Sequence, residues 1–164
     1  MRKLACFAPL AAVLAFSAAP AIAEPALISV SLGPDLQEKA DDLGPREVQE
    51  QADRLAELVG RALAREGELD GARIELVLTD LQPNRPTFQQ MADRPGLDGH
   101  RSRSIGGATI EGQIVTADGR TLPVRYDWHS VSLADVHGLT TWADADRAYR
   151  RLAANLADGR YVSR

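Results

Sequence analysis

From 26 to 32 apolar and polar side chains alternate, with Leu27, Ser29 and Ser31 on one side and Ile28, Val30 and Leu32 on the other. A period of two predicts a strand. Gly33-Pro34 ends it, and the polar, charged stretch 33–44 reads as a loop. The period then changes. Val48, Ala52, Leu55, Val59, Ala62 and Leu63 recur at helical spacing behind Gly44-Pro45, which predicts a helix over 45–66 with Pro45 opening it and Gly67 closing it. Glu50 with Arg54 and Glu57 with Arg61 stand four apart in the favourable order, as on a solvated helix face.

Alternation returns over 72–81, with Ile74, Leu76 and Leu78 facing one way and Glu75, Val77 and Thr79 the other. Residues 82–104 hold Pro83, Pro86, Pro95, Gly96 and Gly99 and predict a long loop, a kind of segment that is usually functional or disordered. A hairpin follows. Ile110, Gly112, Ile114 and Thr116 share a face of one strand, and Leu122, Val124, Tyr126 and Trp128 a face of the next. Cross-strand partners point to the same side, so a two-residue turn at Asp118-Gly119 would oppose core and surface residues. A three-residue loop over 117–119 pairs Ile114 with Leu122 and predicts a left-handed Gly119 in a bulge. Pro123 cannot donate to a ladder and marks its strand as an edge near its start, or as bulged. Trp142, Ala145, Tyr149, Leu152 and Leu156 predict a last helix over 142–157, with Thr141 and Asp144 spaced as a capping box and Asp158-Gly159 as the stop.

The predicted order is β-α-β-β-β-α. It implies an α+β two-layer sandwich: a mostly antiparallel sheet of about four strands with two helices on one face. No internal repeat or second domain is visible, and residues 24–164 read as one domain.

The first 23 residues change the picture. Arg2 and Lys3 precede an uncharged apolar run from Leu4 to Ala19, then Pro20 and Ala21-Ile22-Ala23. This layout is that of a secretory signal cut after Ala23, too short and interrupted for a membrane span. Cys6 stands at the start of the apolar run and not after it, the wrong place for a lipid-bearing cysteine. Cleavage takes 23 residues from 164 and leaves 141, without any cysteine, so neither disulfides nor thiol chemistry are expected. Arg2 and Lys3 leave too, so 17 of the 19 basic residues remain against 23 acids, a net charge of −6. That balance argues against nucleic acid and anionic membranes. Lys39 is then the last lysine, and the Arg and Ala bias suggests a GC-rich bacterial genome and hence the periplasm.

Candidate chemistry is sparse. Arg125, Asp127 and His129 stand two apart and project from one strand face, where Asp127 is placed to orient His129 as a base or ligand; the alternative is an ordinary wet sheet face. Arg101-Ser102-Arg103-Ser104 before Gly106-Gly107 offers two guanidiniums and backbone amides to an anion, though it lacks a P-loop pattern; the alternative is a loop whose glycines allow close packing. His100, His129 and His137 have no metal-ligand spacing, and no G-x-S-x-G is present. No metal or cofactor is expected.

Gly44-Pro45, Ser104-Ile105-Gly106-Gly107-Ala108, the Asp118-Gly119 hairpin and Trp142-Ala143-Asp144-Ala145 together resemble small uncharacterised proteobacterial envelope proteins, many of them lipoproteins. This chain departs from those in having no lipid-bearing cysteine. The resemblance implies a periplasmic α/β domain and carries over no catalytic residue. The expectation is a non-enzymatic envelope protein that binds an envelope partner through the 82–104 loop and the polar sheet face. The alternative is a small-ligand binder or hydrolase using Arg125, Asp127 and His129. The chain is expected as a monomer or as a dimer through a free strand edge.

Overall fold

The structure, a computed structural model, describes residues 26–66 and 69–163. The signal segment and Gly67 lie outside them. The elements run β1 (Leu27–Leu32), α1 (Pro34–Leu43), α2 (Pro45–Glu66), β2 (Arg73–Gln82), α3 (Phe88–Asp93), β3 (Gly107–Val115), β4 (Thr121–His129), a single 3₁₀ turn (Leu133–Asp135), α4 (Ala143–Ala157) and a two-residue β5 (Val162–Ser163).

The α+β class holds, with one open sheet in the order β1-β2-β3-β4-β5. The sheet is mixed. β1 runs parallel to β2 and β5 parallel to β4, while β2-β3 and β3-β4 are antiparallel. Ile74, Leu76, Leu78, Ile110, Ile114 and Val124 line the inner face. Val48, Leu55 and Val59 of α2 meet them, as do Ala145, Tyr149, Leu152 and Leu156 of α4, in one hydrophobic core. Arg54 joins the two helices through Asp146 (3.0 Å). It also pairs with Glu57 rather than with Glu50, which takes Arg46.

The hairpin keeps the register its faces require. Ile114 opposes Leu122, and Gly119, at φ 85°, closes the loop by donating to Thr116 O. Pro123 is exposed on an edge, because β5 covers β4 only at Arg125 and Tyr126.

Three expectations are corrected. Residues 34–43 form α1, not a loop. Pro34 fills its first turn, Gly44 (φ 92°) ends it, and Leu36, Ala40 and Leu43 are buried at spacings of four and three. One narrow apolar stripe among polar residues forms a helix once the core supplies its partner. Within 82–104, Phe88–Asp93 is helical, started by a capping box in which Thr87 and Gln90 bond each other's backbone N–H. The last helix has no Thr141 capping box; Trp142 is its cap residue, without a side-chain capping bond, and Asp144 is turned elsewhere.

Candidate functional site

β2 sets up the polar outer face. Strict alternation would send Asp80 inward, but Thr79 is an extra residue: Leu78 pairs with Ile110 and Asp80 with Thr109. This bulge reverses the faces after Leu78, so Leu81 is buried and Asp80 points outward. Asp80 thereby reaches His129. Gly107 stands opposite His129 on the intervening strand β3, two residues before Thr109, the partner of Asp80. A Cβ on Gly107 would lie 2.5 Å from the His129 ring and 2.3 Å from Trp128 O, so only glycine lets the imidazole cross β3.

The cluster spans three strands and a helix. His129 Nδ1 stands 3.1 Å from Asp127 Oδ1, and Nε2 stands 3.5 Å from Asp80 Oδ2, an ion-pair distance rather than a well-formed hydrogen bond. Lys39 of α1 donates to Asp80 (2.8 Å), as does Gln82, and Thr109 donates to Asp127 (3.1 Å). Asp80 and Asp127 raise the His129 pKa against the opposing effect of burial. Asp80 is held far below the usual carboxylate range, chiefly by His129 and then by Lys39. An imidazole with carboxylates at both nitrogens favours its protonated form, which has no lone pair to act as a base. The arrangement suits a clamp joining β2 to β4. Among the described residues, no three His, Cys, Asp or Glu side chains are grouped to hold a metal ion.

Of the predicted face, Asp127 and His129 meet, but Arg125 does not join them. It pairs with Glu111 across the hairpin at 3.3 Å. Asp80 and Lys39 were missed. The spacing of three between Leu78 and Leu81 is the sequence signal for the bulge that places Asp80.

A second, buried cluster anchors the 82–104 segment. Asp144, fully buried in the first turn of α4, accepts from Asn84 Nδ2 (2.6 Å) and Ser130 Oγ (2.5 Å). Its own N–H donates to Asn84 Oδ1 (2.8 Å). Asn84 Nδ2 also reaches Ser104 O, and the Asn84 N–H donates to Thr141 O. Asp144 Oδ1 has no hydrogen bond, with Arg147 Nη1 3.6 Å away. The ends of the segment, the end of β4 and the start of α4 are thus tied at one point. Gly106 makes room: a Cβ there would lie 2.6 Å from Asn84 Nδ2. Of the two readings of Gly106-Gly107, the packing one holds and the amide cradle does not. Both glycines are buried in close packing, one beneath Asn84 and the other beneath His129.

The tied segment, α3 included, lines an open cleft of about 410 Å³, with Ile105 just beyond it. Arg103 lines it, with Arg85, Arg94, Leu97 and Ile105. Arg101 does not; its side chain is exposed elsewhere, and its N–H bonds Asp98. Arg101 lies within the turn closed by the Ser102 N–H on Asp98 O, and Arg103 lies beyond it.

A comparison with protein-family models finds no match, and neither does one with curated proteins. Among the described residues no helix is long and apolar enough to cross a membrane.

Proposed function

We propose that this chain is an exported, non-enzymatic binding protein of the bacterial cell envelope that meets an envelope partner through its 82–104 segment. One observation carries the reading: a fully buried carboxylate, Asp144, is committed to holding that segment through Asn84 and Ser130. Burying a charge is a costly way to tether a surface segment. Its return is a fixed shape, and a surface already in its bound shape loses less entropy on association. The outer face supports the non-enzymatic part, since His129 is held between two carboxylates in the form least suited to base catalysis. Export rests on the sequence of residues 1–23, and an intact mass lacking those residues in protein recovered from the periplasm supports it; an uncut mass overturns it.

The partner reading is tested by replacing 88–99 with a Gly/Ser linker, which removes α3 and keeps Asn84 and Arg85. Cross-linked capture from an envelope fraction is compared between parent and variant, with near-UV circular dichroism as the control for folding. The expected result is a partner lost from a folded variant. Equal capture by both proteins overturns the assignment.

A further inference from the structure

Arg85 is more than nine-tenths buried, yet no carboxylate among the described residues pairs with it. Its Nη1 donates to the carbonyls of Gly99 (3.1 Å) and His100 (2.5 Å), while Nε and Nη2 have no partner among the described residues. Asp98 lies within electrostatic reach, but its carboxylate is turned to the N–H groups of His100 and Arg101. Arg103, on the exposed side of the cleft, is likewise without an ion pair among the described residues, donating through Nη2 to Val136 O (3.0 Å). Arg94 is the third guanidinium of the lining and is taken by Asp42. Among the described residues no Asp or Glu lines the cleft. In a chain with more acids than bases, this is a local reversal of sign.

A buried cation without a counter-charge is unfavourable unless something supplies one. A guanidinium fork matches the two oxygens of a carboxylate or phosphate. The rest of the lining sets the apolar Pro83, Pro86, Leu97 and partly exposed Ile105 among the neutral polar Gln82, Gln90, Ser102 and Ser104. A volume of about 410 Å³ suits a small molecule. We propose that the cleft binds a small oxyanion bearing an apolar group, its charged oxygens on Arg85 and Arg103 and its apolar part against Leu97 and Ile105. The proposal rests on the binding reading above and names the ligand chemistry of the same segment.

Calorimetric titration of the purified protein with phenyl phosphate and 4-phenylbutyrate tests it, beside neutral 4-phenylbutanol and inorganic phosphate. Saturable one-to-one binding of at least one organic anion is expected, about tenfold or more tighter than either control. The tighter of the two anions names the headgroup. Arg103→Gln, at an exposed position, is expected to weaken binding about tenfold with its unfolding midpoint unchanged. Arg101→Gln, outside the cleft, is expected to leave it within about twofold, the effect of a remote surface charge. Absence of saturation by both anions, equal binding of phenylbutanol, or equal losses in the two variants overturns the proposal. Failure here with partner capture intact removes the ligand alone; anion binding without capture removes the partner reading.

Discussion

Replacing Asn84 by Ala should destabilise the protein far more than a surface asparagine would. The substitution deletes three hydrogen bonds: Nδ2 to Asp144 Oδ2, Nδ2 to Ser104 O, and the Asp144 N–H to Oδ1. It leaves the fully buried Asp144 carboxylate with Ser130 as its one hydrogen-bond partner. A neutral bond contributes about 1 kcal/mol net and a charge-assisted one about 1.5–3. Asn84→Ala should therefore cost about 3–5 kcal/mol, and Asp144→Ala about as much. The two residues share one network, so the double variant should fall short of the sum of the singles by about 2–3 kcal/mol, the coupling expected for bonded neighbours. Urea unfolding followed by the fluorescence of Trp128 and Trp142 measures this. At a slope of about 1.5 kcal/mol/M, each single variant should lower the midpoint by about 2–3 M. A cost below about 1 kcal/mol, or additive singles, would refute the claim that this network holds the segment, because an independent pair shows no coupling.

The clamp at His129 predicts a stability maximum with two falling arms. A raised histidine pKa adds stability that is complete below the unfolded value near 6.5 and is lost as pH rises through the folded one; a lowered Asp80 pKa adds stability present above about 4 and lost as pH falls. The combined effect should peak between about pH 4 and 6.5, and His129→Gln should cost about 1–2 kcal/mol at pH 5.5 and little at pH 8.5. A parent and variant with parallel pH profiles in thermal unfolding would contradict the clamp. Leu36→Ala, at a fully buried position of α1, should cost about 2–4 kcal/mol by chemical denaturation. A change below about 0.5 kcal/mol would mean that 34–43 is not part of the core.

The sequence alone determined the elements whose signal is local and repeated. Long apolar stripes predict α2 and α4 to within a residue or so, because burying one face of a helix demands that spacing. The hairpin register followed from matching faces at Ile114 and Leu122, since a slip of one residue would turn every side chain over. Where the signal was short, local polarity misled: Leu36, Ala40 and Leu43 are only three positions, and α1 is stabilised by a core that the segment cannot see. The sites were legible only in part. Asp127 and His129 meet because neighbours two apart on a strand must share a face. Asp80 meets them because a single extra residue, Thr79, inverts the face of β2, and because Gly107 opens a passage across β3. Asn84 and Asp144 stand 60 residues apart, and nothing local relates them. Periodicity reports which side of an element is buried. Which polar groups meet depends on the bulges, glycine gaps and chain crossings that only the packed structure decides.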